Sequence, residues 1–401
     1  MNLASDVHYV ERGSLVPRVT RKTNFIDPHK FEHPDHFKGV MFEMLVQKAS
    51  DAFIQPGYPV LAKIDGHLHA LTNSVLDDNE VYSVLKWAVG RDTAQTDAMS
   101  GIASNGRYEL FDPNPAMVDA RGARIKYGFR VNASPIYASG GTGVQVVLRR
   151  IPNDPLHHSL IGMPEELIRK MTPKTGIVIV AGGTGTGKTT TFASVIRFIL
   201  ENVTPIHGNL ITHEEPIEYI YDNILSAHSV LVQSQIPTHF KSFSDANREA
   251  MRRAPGLINY GELRDEDSIV SAVEAANTGH PVFGTLHANG VVDVITRMVT
   301  QFPDSVQNKS IKDIARALRF VMAQKLVPAA GGGQVACREY LPFDKKVRDV
   351  LVRADSTNIA VVVSDLLDQY GHSFAQDSDK LLADGKITAE ARAELEREEN
   401  E

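Results

Sequence analysis

The stretch that most constrains this chain is a glycine-rich loop between an apolar run and a helix-forming run. The apolar run occupies residues 176–181, and residues 190–196 follow the loop. The loop fits the pattern G-x-x-x-x-G-K-[ST], that of a P-loop, with Gly182, Gly183, Thr184, Gly185, Thr186, Gly187, Lys188 and Thr189, followed by Thr190. In the order strand, loop, helix, backbone N–H groups at a helix N-terminus can wrap a pyrophosphate. The motif therefore predicts a nucleotide-binding α/β domain.

Two residues of the loop indicate that ATP and Mg²⁺ are the cofactors. Lys188 would reach the β- and γ-phosphates of ATP as a point charge, and the hydroxyl of Thr189 would bind Mg²⁺. A glycine-rich turn that matches the pattern by chance is the alternative. The β-branched run before the loop and the apolar helix pattern after it disfavour that alternative.

Length, charge and cysteine content limit the number of domains, the type of partner and the cellular location that we expect. The chain has 401 residues, which suggests two domains, and its net charge of −7 argues against nucleic acid as the main partner. Its start has no secretory signal pattern, and no apolar stretch approaches the roughly 18 residues of a membrane span. A single cysteine, Cys337, excludes an internal disulfide. We expect a cytoplasmic protein whose association with a membrane is peripheral.

Changes in pattern along the chain predict its organisation. Residues 1–40 are rich in basic residues and proline without a sustained period, and they are predicted to form an N-terminal arm. Residues 41–150 fit a small α+β domain, and the turn-rich segment 151–158 fits a linker. Residues 159–401 would then form the nucleotide-binding domain with a C-terminal helical region.

Within the smaller predicted domain, five features suggest helices and strands. A helix is predicted from Met41, a hairpin with its turn at Asp65–Gly66, and a second helix over 81–89. Residues 124–131 and 143–150 alternate between polar and apolar as strands do, around a glycine turn.

In the larger predicted domain, four apolar stretches alternate with helical patterns, at 176–181, 209–212, 257–260 and 281–286. This alternation predicts a parallel, doubly wound sheet.

Further along, apolar residues recur at helical spacing and predict a core-facing helix from Ile311 onward, with Ile314, Leu318, Val321 and Leu326 on its buried stripe. A triple-glycine turn at 331–333 would lead into a helical tail, whose acidic end 394–401 is interpreted as a solvated helix face.

Acidic residues follow two of the predicted strands. They form the clusters 214–218 and 261–265, and His280 and His287 flank the fourth strand. Ligands of doubly wound sheets bind at the carboxyl ends of the strands, so these side chains would face the phosphates. Taken singly, each cluster also fits an ordinary solvated loop, and it is their order relative to the P-loop that favours a functional role.

These segments resemble the boxes of the secretion ATPases of type II and type IV systems, a family that includes pilus retraction motors of the PilT type. Residues 214–218 resemble the acidic box, 261–265 the Walker B segment and 279–287 the histidine box. The resemblance covers about residues 41–390. It implies a RecA-like domain preceded by a PAS-like domain, and assembly into a homo-hexameric ring.

Within the family the chain is most similar to the branch of DotB and TraJ, from type IVB secretion and conjugation. Glu215 stands where the acidic box usually has Asp, and Asn259 interrupts the apolar strand before the Walker B acid. The segment 254–256 lacks the acid that commonly follows its proline. Residues 347–351 resemble the signature of retraction motors only loosely, which favours secretion over retraction.

The resemblance and the chemistry of phosphoryl transfer together predict the site. Glu218 would orient or deprotonate the attacking water, while Glu262 and Thr189 would organise the metal. Arg130 and Arg149 resemble the arginines that reach a neighbouring subunit's nucleotide, although Arg150 remains an alternative to Arg149. His287, from the histidine box, completes the predicted catalytic set.

The predicted function is ATP hydrolysis by a hexameric motor that powers protein or conjugative type IV secretion at the inner membrane. Its further partners would be inner-membrane components of the secretion complex, and no direct contact with nucleic acid is expected. Three different functions stay open: a pilus motor of the PilT type, a RecA-like nucleic-acid translocase, and a scaffold that binds ATP but scarcely hydrolyses it.

Overall fold

Two units, each with its own sheet, make up the chain. The computed structural model describes residues 17, 25–119, 122–138, 140–151 and 154–400, and the units are Met1–Asn153 and Asp154–Glu401. Most of the predicted N-terminal arm, and positions 152 and 153 of the predicted linker, lie outside the described residues.

The first unit is built on a six-stranded sheet in which all neighbouring strands are antiparallel, in the order β3-β2-β1-β6-β5-β4. Its strands are β1 (Asp51–Ile54), β2 (Leu61–Ile64), β3 (His67–Ala70), β4 (Ser104–Phe111), β5 (Lys126–Ala138) and β6 (Gly141–Ile151). Its helices are α1 (Pro34–Val46), α2 (Asp78–Val89) and α3 (Ala94–Met99).

The helix predicted from Met41 starts earlier than expected. Helix α1 begins at Pro34, and the side chain of His33 accepts a hydrogen bond from the N–H of Asp35. Proline is tolerated in the first turn of a helix because that turn has no partner for its N–H groups. Pro34, which was predicted to lie in the irregular arm, is therefore the start signal of the helix.

The predicted hairpins of this unit are present. Strands β2 and β3 pair on either side of the turn at Asp65–Gly66, and β5 and β6 pair along their length on either side of the glycine turn. Helix α2 covers the predicted segment, with an N-terminal capping box between Asp77 and Glu80. Strands β1 and β4 were not predicted.

The second unit has a seven-stranded sheet in the order β13-β12-β7-β11-β10-β8-β9. Its strands are β7 (Gly176–Ala181), β8 (Gly208–Glu214), β9 (Ser229–Gln235), β10 (Pro255–Tyr260), β11 (Pro281–Leu286), β12 (Leu318–Pro328) and β13 (Gln334–Pro342). All neighbouring pairs are parallel except β12 and β13, which are antiparallel. The predicted parallel sheet is thus a mixed sheet with one antiparallel edge strand.

Helices cover both faces of this sheet, as in a doubly wound fold. They are α4 (Glu165–Lys170), α5 (Lys188–Glu201), α6 (Phe243–Ala250), α7 (Glu266–Asn277), α8 (Val291–Thr300), α9 (Asp304–Ala317), α10 (Lys345–Leu351), α11 (Ile359–Tyr370), α12 (Phe374–Ala383) and α13 (Ala389–Asn400). Helices α4 and α5 pack on one face, and α7, α8 and α9 pack on the other. Among the described residues, no helix combines the length and the apolar character that crossing a membrane requires.

The helix predicted from Ile311 through Leu326 is wrong in its second half. Helix α9 ends at Ala317, and the chain continues as β12 and β13, joined through the glycine turn at 331–333. Residues 320–323 are all buried. A strand buried on both faces is a continuous apolar run, which periodicity alone cannot distinguish from a buried helix. The tail beyond it is helical as predicted, and Glu394, Glu396 and Glu398 on α13 are exposed.

Candidate nucleotide-binding site

The P-loop leaves the carboxyl end of the fully buried strand β7 and enters α5. A Cβ atom on Gly182 would lie 2.5 Å from the backbone oxygen of Gln324, so no larger residue fits there. Gly187, the residue before α5, has φ +84°, a conformation that glycine adopts without strain. These local constraints leave the N–H groups of the loop and of the first turn of α5 to face a phosphate.

Lys188 folds back over the loop. Its Nζ donates hydrogen bonds to the carbonyl oxygens of Gly182, at 2.8 Å, and Gly183, at 2.7 Å. Burial lowers the pKa of Lys188, and the negative charges of Glu262 and Glu218 oppose that shift. The predicted phosphate-binding lysine therefore lies within the field of both predicted acids.

A cavity of about 250 Å³ opens beside the loop, where β8, β10 and β11 end. Five predicted functional side chains line it: Lys188, Thr189, Glu218, Glu262 and His287. Thr184 and Gly185 of the loop line it as well. The structure thus gathers P-loop, acidic box, Walker B segment and histidine box around one space.

The acidic box places three carboxylates on the cavity wall, and one of them, Glu214, holds the loop through hydrogen bonds. Glu214, the last residue of β8, has its Oε1 bonded to the hydroxyl of Thr212 (2.7 Å) and the amide of Gln233 (3.0 Å). Its Oε2 accepts from the N–H of Glu218 at 3.5 Å. Burial raises the pKa of Glu214. This carboxylate is committed to holding the loop, a role that was not predicted from the sequence.

The loop after Glu214 carries the other two acids. The peptide bond between Glu215 and Pro216 is cis, and both residues line the cavity. Glu218 lies beyond the proline and also lines the cavity. The next residue, Tyr219, anchors the loop to the P-loop helix, because its hydroxyl lies 2.8 Å from the hydroxyl of Thr190. Thr190 is therefore a loop anchor at the edge of the site.

Glu262 lies between two cationic or potentially cationic groups. Arg264 Nε donates to its Oε2 at 2.7 Å, and His287 Nε2 lies 3.7 Å from its Oε1. The hydrogen bond with Glu262 raises the pKa of Arg264. Arg297 donates to the carbonyl oxygen of His287 at 2.7 Å and so fixes the backbone of the histidine box. The Walker B and histidine boxes are joined through this carboxylate.

The donor set at the cavity suits a magnesium ion. Mg²⁺ takes oxygen ligands and is usually held by one or two protein oxygens together with phosphates and water. The Thr189 hydroxyl and the Glu262 carboxylate are oxygens of this kind on the cavity wall. No group of three or more His, Cys, Asp and Glu suited to a metal is found in the part of the chain that the structure describes. The oxygens of Thr189 and Glu262 fit a metal that the phosphates of a nucleotide would also bind.

Asn259 belongs to an unbroken strand, although it interrupts the apolar pattern. It pairs in register with Thr212 on β8 and Phe283 on β11. Its Oδ1 is buried and has no hydrogen-bond partner, and the residue lines the cavity. A buried polar atom without a partner is costly, so this position fits contact with a ligand or water in the cavity.

The predicted arginines lie in the first unit, on neighbouring strands. Arg130 on β5 pairs in register with Arg149 on β6, so their side chains share one face of the sheet. Arg149 Nε donates to Asp51 at 2.7 Å, and the Arg149 side chain is 67% exposed. Arg150 pairs with Phe129, which is buried on the other face. Arg149 rather than Arg150 is therefore the neighbour of Arg130.

The sequence profile of the family described as type II/IV secretion system protein matches residues 36–360. The chain belongs to this family. Its structure is similar to that of the ATPase DotB of Yersinia pseudotuberculosis, with 45% sequence identity and a TM-score of 0.80, over 95% of this chain and 98% of DotB.

Two further relatives describe its position in the family. The ATPase DotB of Legionella pneumophila is 34% identical with a TM-score of 0.83, over 92% of this chain and 97% of that one. The type IV pilus retraction ATPase PilT of Pseudomonas aeruginosa is 31% identical over 309 residues, which are 77% of this chain and 83% of PilT. The chain is thus a PilT-like secretion ATPase of the DotB-like branch. The RecA-like fold expected of its second unit agrees with these relatives, while the PAS-like character of the first stays a prediction.

Proposed function

We propose that this chain hydrolyses ATP as one subunit of a homo-hexameric motor that powers type IV secretion. The observation that carries the proposal is the cavity in which Lys188 meets Glu218 and Glu262 beside the P-loop. The similarity to DotB along nearly the whole chain supports secretion as the work performed.

The side chains around the cavity divide the reaction among them. Loop N–H groups and Lys188 hold the β- and γ-phosphates, in place of the carbonyl contacts that Lys188 makes with the loop itself. Thr189 and Glu262 would hold Mg²⁺, which would supply positive charge against the charge that develops on the phosphates. Glu218 accepts the proton of the attacking water. His287, at 3.7 Å from Glu262, orients that carboxylate.

The arginine pair would complete the site from a neighbouring subunit. Arg130 and Arg149 lie side by side, and Arg149, although it bonds Asp51, keeps a largely exposed side chain that has room for a second anion. A nucleotide bound to the next subunit of a ring would supply that anion. This arrangement would make hydrolysis depend on assembly.

A pilus motor is the second candidate, supported by the 31% identity to PilT. Deleting the gene for this chain separates the two functions, since loss of protein or DNA export indicates secretion and loss of pilus dynamics indicates a pilus motor. The proposed cytoplasmic location and the inner-membrane partners are tested in the same strain by fractionation and crosslinking.

A nucleic-acid translocase and an ATP-binding scaffold would each differ from a secretion motor in their ATP turnover. A translocase would be stimulated by single-stranded DNA, which the net charge of −7 disfavours. A scaffold would bind ATP without turnover, which the presence of two acids at the cavity disfavours.

The decisive experiment is ATP turnover by the purified protein with Mg²⁺. We expect turnover by an assembly of six subunits, and its loss in Lys188→Ala, because this variant lacks the cation at the phosphates. Lys312→Ala changes an exposed lysine on α9 and serves as the control with unchanged turnover. Turnover by Lys188→Ala at the wild-type rate would refute the assignment of the site.

A further inference from the structure

A buried glutamine lies directly beneath the P-loop. Gln324 is on β12, the strand beside β7, and is 2% exposed. Its Nε2 donates to the carbonyl oxygen of Thr186 at 2.6 Å, and its Oε1 accepts from the hydroxyl of Thr191 at 2.9 Å. One amide group thus bridges the loop and the first turns of α5.

The bond to Thr186 sets the direction of the next N–H group. In a trans peptide the carbonyl and the following N–H point in opposite directions. When Gln324 holds the carbonyl of Thr186, the N–H of Gly187 is turned to the other side of the loop, away from Gln324. Oriented N–H groups of this kind form an anion-binding concavity.

Gln324 also lies close against two glycines of the loop. A Cβ on Gly187 would lie 3.0 Å from the Gln324 side-chain nitrogen, and one on Gly182 would lie 2.5 Å from the Gln324 backbone oxygen. The backbone of the loop therefore packs directly against Gln324, with no space for a side chain between them.

A buried arginine fixes which way the glutamine amide points. Arg338 on β13 is 4% exposed, and its Nε donates to Gln324 Oε1 at 3.0 Å. Its two Nη atoms donate to the carbonyl oxygens of Ile161, at 2.6 Å, and Gly162, at 3.3 Å. Because arginine only donates, the oxygen of the amide must face Arg338, and the NH₂ group must face Thr186.

We infer that Gln324 is a positioning residue that holds the P-loop in the shape that receives the β-phosphate, and that Arg338 sets the orientation of its amide. The inference rests on the proposed nucleotide-binding function, which it deepens. It assigns a role to a strand residue that lies outside the three boxes and the P-loop itself.

The test compares two substitutions that separate the donor from the acceptor role. Gln324→Glu keeps an oxygen for Arg338 and Thr191 but cannot donate to Thr186, while Gln324→Met removes both roles. We expect Gln324→Glu to weaken ADP binding and raise the KM for ATP by about fivefold or more, the scale of one lost hydrogen bond. The kcat at saturating ATP should change less, because the catalytic acids are untouched.

A control and the contrary outcomes complete the design. Gln47→Met removes another buried glutamine, which bonds Glu43 in the first unit, and should leave nucleotide affinity unchanged. If Gln324→Glu binds ADP within twofold of wild type while Gln324→Met is weakened, the role is structural support and the inference fails. It also fails if both variants bind as wild type does. If the wild-type protein binds no ADP, the proposed function fails with it.

Discussion

Changing Glu218 to Gln isolates the proposed catalytic base from its neighbours in the acidic box. The substitution keeps the size of the side chain and removes the negative charge that would attract the water's proton. Glu214 and Glu218 both line the cavity, but the hydrogen bonds to both oxygens of Glu214 commit that carboxylate to holding the loop. The role of general base is therefore assigned to Glu218.

The size of the effect follows from the role. A positioned general base contributes about 10²-fold to 10⁴-fold in rate, and the lower limit corresponds to about 2.7 kcal/mol of barrier. The charge of Glu218 also acts on Lys188, where it favours the protonated form. Removing the Glu218 charge therefore does not make Lys188 a stronger phosphate ligand. We expect the ATP affinity of Glu218→Gln to remain close to that of wild type.

The assay is steady-state phosphate release by the assembled protein at saturating Mg-ATP, with nucleotide affinity measured separately by a fluorescent analogue. Glu215→Gln makes the same chemical change three positions earlier, on the same cavity wall, and should keep most of the activity. Glu215→Asp, which restores the common residue of the family, should do so too. If Glu218→Gln keeps more than about a tenth of wild-type turnover, Glu218 is not the base.

Three further predictions address the metal, the arginines and pH. Glu262→Gln should lower turnover and raise the Mg²⁺ concentration for half-maximal activity; an unchanged magnesium titration would count against a metal role. Arg130→Ala should lose turnover and regain part of it when mixed with Lys188→Ala, because mixed interfaces hold both intact parts; full activity of Arg130→Ala alone would disprove action in trans. Burial raises the pKa of Glu214, so its stabilising contribution, present below about pH 4.5, is lost as pH rises through the folded pKa. The glutamine of Glu214→Gln does not titrate, so the Tm of this variant relative to wild type should increase as pH rises above about 4.5; a constant difference would show that burial does not perturb this carboxyl.

The parts of the site that could be predicted are those fixed by local sequence. The glycines and Lys188 of the P-loop follow one another along the chain, and the order of the strands places acids at the same edge of the sheet. Strands β7, β8, β10 and β11 were predicted from short apolar runs with helical patterns between them. These elements needed no knowledge of distant contacts.

The parts that were missed depend on contacts between distant segments. Gln324 meets the P-loop only because β12 pairs with β7, whereas the spacing of apolar residues predicted a helix for this segment. A polar residue within a long apolar run was the available signal, since such a residue is buried only when it has partners. Strand β9 was missed as well, although its Gln233 anchors the acidic box by bonding Glu214.

The acidic box shows why the sequence pattern alone could not assign a separate role to each of its carboxylates. Glu214, Glu215 and Glu218 are chemically alike and lie within five positions. What separates them is where β8 ends. Glu214 is still part of the strand, and its two oxygens accept hydrogen bonds from Thr212, Gln233 and the N–H of Glu218, whereas Glu215 and Glu218 lie in the loop beyond the strand. The end of the strand therefore divides a carboxylate that shapes the site from those that can act in it, and the contrast between Glu214→Gln and Glu218→Gln measures that division directly.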